Sequence, residues 1–172
     1  GTIGVAPAEP GRHSAIPPRA VGGNLDVRHL GPGARLLLPV AVPGALFSVG
    51  DTHACQGDGE VCGTAIESPM TVRLRLHLHK GGAPRFPRLH LPAVRDPAPV
   101  GARVVTTGVG PSLEQAARDA VMGMIDHLGR EYGMAPELAY CLCSVAADLQ
   151  VSELVNLPNV VVAAVLDTGI FR

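Results

Sequence analysis

The chain has 172 residues, 47% of them hydrophobic and 3% aromatic, with a formal net charge of -1 and a pI near 6.7. That length and apolar content allow a buried core in one domain or two small ones, and exclude a disordered chain. Basic residues are scattered, which excludes an electrostatic footprint for nucleic acid, and the longest apolar run near the C-terminus, "VVVAAVL" at 160–166, is far short of the roughly 20 residues of a membrane helix.

The opening "GTIGVAPAEPGRH" lacks the basic start and apolar run of a secretory signal, and the chain has no initiator Met. Four cysteines, Cys55, Cys62, Cys141 and Cys143, are too few for a disulfide scaffold. The expectation is a soluble cytoplasmic protein with reduced thiols. With 21 Gly and 16 Pro, the composition favours many turns between short strands.

From Ile3 to Pro69, short apolar segments ("LLLPVAV", "GALFSV", "EVCGTAI") alternate with Gly, Pro and Asp clusters, the pattern of consecutive strands and tight turns. "TVRLRLHLHK" at 71–80 alternates strictly, with Val72, Leu74, Leu76 and Leu78 on one face, and predicts a half-buried strand. Residues 83–101 hold Pro84, Pro87, Pro92, Pro97 and Pro99 and read as a long surface loop or irregular edge. "ARVVTTGVG" at 102–110 predicts another strand.

Ser112 then opens a helix as N-cap, with Gln115 as the reciprocal partner of a capping box and Gly129 as the stop. Leu113, Ala116, Ala120, Met124 and Leu128 give it one apolar face. Pro136 suits the first turn of a second helix to Asp148, and "NVVVAAVLD" from Asn159 predicts a last strand. The reading is α+β, mainly β. Residues 1–101 form a β-rich part carrying the candidate site, and 102–172 a strand-helix-helix-strand portion, together one integrated domain.

The chemistry concentrates in "GDTHACQGDGEVCGTAIE" at 50–67, a loop between a strand ending at Gly50 and one beginning at Glu60. Asp51 and His53 share a face if the chain is extended, as do Asn24 and Asp26 in "GGNLD". Gly57 and Gly59 let the backbone bring Gln56, Asp58 and Glu60 round a tight bend. In a regular strand Glu60 and Glu67 point to opposite faces, which leaves Glu67 a supporting role. Two readings stay open: a divalent ion held by carboxylates and one imidazole, or a polar hairpin whose Asp and Gly serve the turn.

Rival chemistries fit less well. Lys80 is the only lysine and sits at a strand end, which weakens a Cys-Glu-Lys amidase, and no Gly-x-Ser-x-Gly elbow is present. Cys55 and Cys62 read as small hydrophobes, and Cys141 and Cys143 point about 200° apart on a helix. His77 and His79 follow Arg73 and Arg75 on one strand face, which opposes a cation there.

The run "SVGDTHACQGDGEVCGTAIESPM" resembles the signature of the acetamidase/formamidase family. "GTIGVAPA", "IPPRAVGGNLDVRHLGPGARLLLPVAVPGALFSVGD", "TTGVGPSLEQAARDAVMGMID" and "CSVAADLQVSELVNLPN" match it in the same order. The resemblance implies hydrolysis of short aliphatic amides, with related members acting on lactams, on a β-sandwich with an α+β insertion and a bound divalent metal, zinc or calcium. Carried over by position, Asp26, Asp51 and His53 lie near the metal, Glu60 transfers the proton with Gln56 and Asp58 beside it, and Asn24 meets substrate. The expected partners are a small amide and further copies of the chain. Family members are longer, and the chain aligns with their C-terminal two-thirds. Their N-terminal portion is expected to add strands and ligands, which raises an alternative: a split subunit or structural module without activity of its own.

Overall fold

The computed structural model describes residues 1–93 and 100–171. In chain order the elements are β1 (Thr2–Gly4), β2 (Gly22–Asn24), β3 (Arg35–Leu37), β4 (Ser48–Gly50), β5 (His53–Cys55), β6 (Ile66–Glu67), β7 (Arg88–Leu91), β8 (Arg103–Gly110), α1 (Leu113–Tyr132), α2 (Pro136–Ala146), β9 (Ala147–Glu153) and β10 (Val160–Asp167). All pairings among the named strands are antiparallel: a five-stranded sheet β3-β7-β8-β10-β9, a three-stranded sheet β2-β1-β4 and the two-stranded ladder β5-β6. The fold is α+β and mainly β, as expected. The large sheet takes strands from both sides of residue 101.

β10 shows why the sheet holds together, because every residue from Val160 to Leu166 is buried. Val161, Ala163 and Val165 join Leu25, Val27, Leu89 and Val105 in a core on one face, with Ile3 and Leu36 packed at its edge. Ala164 and Leu166 turn to the other face and pack with Ala120, Met124, Leu128, Ala139 and Cys143 of the two helices. A strand apolar on both faces marks the middle layer of a three-layer arrangement. Helices cover one side and the smaller β elements the other. No helix among the described residues is long and apolar enough to cross a membrane.

The first helix begins where the sequence places it, with the Ser112 Oγ accepting from the Gln115 N–H at 3.2 Å. The capping box is only half made, since the Gln115 side-chain amide donates to Asp119 at 3.0 Å. Gly129 does not stop the helix. The chain runs on to Tyr132, and Gly133 at φ +64 supplies the left-handed cap, its N–H bonded to the Gly129 carbonyl. The second helix ends at Ala146 rather than Asp148, and Ala147–Glu153 is an edge strand that the sequence reading lacks. Its exposed Asp148 and Leu149 give it no clean alternation.

Three strand expectations fail in informative ways. The loop expected at 83–101 contains β7, an interior strand between β3 and β8, because Pro87 and Pro92 bracket Arg88–Leu91 rather than interrupt it. The remainder of that expectation, 94–99, lies outside the described residues. "TVRLRLHLHK" is not half-buried: residues 71–80 are exposed and pair with no strand among the described residues, where the β5–β6 ladder ends at Glu67. "EVCGTAIE" is a strand only at Ile66–Glu67, since Glu60 at φ +44 enters a turn over 61–62.

Candidate active site

Asp26 follows β2, Asp51 follows β4, His53 opens β5 and Glu60 follows Gly59 at the bend. Only five described residues other than glycine have positive φ, and three are Asp26 (46°), Asp51 (53°) and Glu60 (44°). The left-handed region costs an L-residue roughly 1–2 kcal/mol, and it persists where the surroundings fix it. Here it turns each carboxylate off its strand line and toward His53.

The outcome is two overlapping groups. Asp26, His53 and Glu60 offer one ligand atom each within 4.8 Å of one another, and Asp51, His53 and Glu67 do the same. Asp26 and Glu60 are buried, Asp51 and Glu67 exposed, so the imidazole stands between an inner and an outer pair of carboxylates. Glu67 reaches His53 because the two are register partners in the β5–β6 ladder. The facing argument that set Glu67 aside assumed a regular strand from Glu60, which does not form.

The hydrogen bonds around His53 fix its chemistry. Gln56 donates through Nε2 to the Asp26 carbonyl, so the atom it turns to His53 is Oε1, 3.0 Å from Nδ1. Nδ1 therefore carries the proton. Nε2 faces the Asp51 Oδ1 at 3.1 Å. Two acceptors at that distance require a proton or a cation between them, and an imidazole whose other nitrogen donates to an amide oxygen is prepared to ligate a metal.

The carboxylates agree with that fit. The Glu60 carboxyl is pushed up to about 7, first by burial and next by the negative charge of Asp26 beside it. Asp26 Oδ1 is buried and makes no hydrogen bond, with the Gly1 ammonium 3.9 Å away, while its Oδ2 accepts from the Asn156 amide at 2.6 Å. Two buried carboxylates and an imidazole nitrogen within ligand reach of one another form a donor set that a divalent cation would satisfy.

The other expected residues are distributed around this centre. Asn24 accepts from the Thr2 hydroxyl at 2.9 Å, and the same hydroxyl lies 3.5 Å from the Asp51 Oδ2. Asp58 belongs to neither group and pairs with Arg28 Nε at 2.8 Å on the surface. Sequence reading passes over Glu153 and Asn156, since nothing in "VSELVNLPN" points to a loop 130 positions earlier. Glu153 is wholly buried, and one of its oxygens accepts from the Val155 and Asn156 N–H groups at 3.1 and 3.0 Å, which fixes the turn presenting Asn156. Its neighbours also bond Gly59, through Gly59 N–H to the Ser152 carbonyl and Leu154 N–H to the Gly59 carbonyl, so the end of β9 anchors the bend before Glu60.

An antiparallel α+β fold with a buried carboxylate and imidazole centre is the class these features define. The model of the acetamidase/formamidase family matches residues 5–172, and the chain belongs to that family. It is 32% identical to a formamidase of Methylophilus methylotrophus over 91% of this chain and 42% of that protein. It is 46% identical to an acetamidase of Mycolicibacterium smegmatis over 39% of this chain and 17% of that one. A recombinant predicted acetamidase/formamidase from Thermoanaerobacter tengcongensis superposes with a TM-score of 0.87 at 30% identity, over 99% of this chain and 53% of the other. An acetamidase from Yersinia enterocolitica gives 0.81 at 30% identity, over 100% and 49%. The chain thus spans about half the length of the relatives it matches over nearly its full extent.

Proposed function

We propose that the chain carries the hydrolytic centre of an amidohydrolase that converts short aliphatic amides, such as formamide or acetamide, to the carboxylate and ammonia. The observation that carries this reading is Glu60, with its carboxyl near neutrality, within ligand reach of Asp26 and His53. Asp26 and His53 would hold a divalent ion, with Asp51 facing the same imidazole from its outer side, and the ion would supply Lewis acidity toward an amide carbonyl. An imidazole among the donors favours zinc over calcium.

Burial and the neighbouring Asp26 raise the Glu60 carboxyl to about 7 in the metal-free protein, and this carboxylate is placed to take a proton from the attacking water and return it to the leaving nitrogen. Gln56 holds the His53 tautomer, and Asn156 orients Asp26. The Asn24 oxygen is engaged by Thr2, which leaves its NH2 to donate to a substrate carbonyl. Asp58 anchors the loop through Arg28. The wider reading is a cytoplasmic homo-oligomer with reduced thiols, and the exposed Leu138 and Val145, seven residues apart on one side of α2, offer an apolar contact for self-association.

The coverage of about half of each relative supports a second reading, an assembly module inactive by itself. Metal analysis and ammonia release from formamide and acetamide separate the two. We expect bound metal, measurable release, and a loss of kcat by about 100-fold or more in Glu60→Gln with metal content retained. Undiminished release in Glu60→Gln would refute the proton-transfer role, and a chain that binds no metal would favour the module.

A further inference from the structure

Strand β9 breaks its alternation once, beside the candidate active site. Gln150 pairs with Ala163 and Val151 with Val162, but Glu153 pairs with Val161, so Ser152 is an extra residue and the ladder bulges there. Residues directly opposite in a ladder share a face. Val161 and Ala163 belong to the core that holds Leu25 and Val27, whereas Val160 and Val162 pack with Ala116 of α1. In unbroken register Glu153 would pair with Val160 and face that helix. The bulge turns it instead to the side that carries Leu25 and Val27, with Asp26 between them in the chain.

From that side Glu153, wholly buried, reaches both inner carboxylates. Its Oε2 accepts from the Val155 and Asn156 N–H groups, closing the turn from which the Asn156 amide donates to Asp26 Oδ2 at 2.6 Å. Its backbone forms a parallel bridge with Gly59, the residue before Glu60, through Gly59 N–H to the Ser152 carbonyl at 3.1 Å and Leu154 N–H to the Gly59 carbonyl at 3.3 Å. Asp26 and Glu60 belong to different loops, and residues 152–156 hold both.

We propose that Glu153, aimed by the bulge at Ser152, is a positioning residue that sets how Asp26 and Glu60 stand toward one another. The inference rests on the reading of these carboxylates as the centre of an amidase, and it gives Glu153 no contact with substrate.

The test uses the full chain with Co2+ as the metal probe. It compares Glu153→Met, which keeps the linear shape without an acceptor, with Glu153→Gln, which keeps one oxygen for the two N–H groups. Leu166→Ala, a truncation in the helix-facing core, controls for lost stability. Glu153→Met should weaken Co2+ binding about tenfold or more and alter the visible absorption of the bound ion, while Glu153→Gln stays within about threefold of wild type. In metal-free protein the Asn156 side-chain NH2 should exchange with water faster in Glu153→Met than in wild type or Glu153→Gln. Glu153→Asp, whose carboxylate is drawn back by one methylene, takes the place of Glu153→Met if that variant does not fold. Unchanged Asn156 exchange in Glu153→Met, or a loss of Co2+ affinity no greater than that of Leu166→Ala, would overturn the proposal. So would a Glu153→Gln variant no better than Glu153→Met. A wild type that binds no Co2+ and releases no ammonia counts against the amidase reading instead, and the metal-free Asn156 measurement then decides the role of Glu153.

Discussion

Asp26, Asp51 and Glu60 sit on backbone that glycine or asparagine would adopt at lower cost, so local stability and side-chain chemistry pull in opposite directions at each. Asp51→Asn should therefore leave the metal-free fold as stable or raise it by up to about 1 kcal/mol, through an easier left-handed residue and one fewer negative charge beside Glu67. The same change should weaken metal binding. Urea unfolding in chelator, paired with zinc titration, reads both effects. Gln56→Leu removes the acceptor that fixes the His53 tautomer, and its zinc affinity should fall about 10–100-fold while all three ligands remain. Equal affinity for wild type and Gln56→Leu would show that His53 is oriented by something else.

Elements bring these residues together through close packing. A Cβ on Gly108 of β8 would lie 1.9 Å from the Ala116 carbonyl oxygen and 2.7 Å from the Ala120 nitrogen, both backbone atoms of α1 that cannot give way. Gly108→Ala should cost about 3 kcal/mol or more, visible as a lower urea midpoint at unchanged slope. His127 of α1 is buried against β7, with its ring edge-on to His90 at 5.5 Å and facing Arg88, His90 and Glu131. Burial, then the positive charge of Arg88, lowers its pKa to about 4. The unfolded chain binds the proton first, so stability is complete above about pH 6.5 and is lost as pH falls toward 4, by roughly 1–3 kcal/mol. His127→Phe should remove that contribution, while His90, lowered first by burial and next by Arg35, keeps one of the same sign. The sequence made α1 and β10 legible because their apolar residues keep one period over many residues. It hid β7, bracketed by prolines, and β9, whose outer edge faces solvent.

At the scale of the molecule, the candidate site draws on β2, the β4–β5 connection, the bend at Gly59 and the end of β9. Zinc added to metal-free protein should raise its stability by about 2.7 kcal/mol at a free concentration 100 times Kd, and chelator should reverse the gain. A Tm insensitive to zinc would count against a site in the folded state. Asp26, Asp51, His53 and Glu60 could be picked out in the sequence because polar residues crowd between strands there. Glu153 and Asn156 could not, since their relation to Asp26 exists only after the sheet has brought distant segments together. The alternation at 71–80 reads as a half-buried strand, but alternation cannot show whether a partner is present, and among the described residues this segment forms no strand.

The order of the large sheet also bears on how the protein is made. β10 follows β8 and β9 in the chain but lies between them in the sheet. A chain emerging from the ribosome can form α1 and α2 early, whereas β8 and β9 have nothing to join them until residues 160–167 are available. The candidate site, whose Gly59 bend is tied to the end of β9, therefore acquires its final form only after residues 160–167 have emerged.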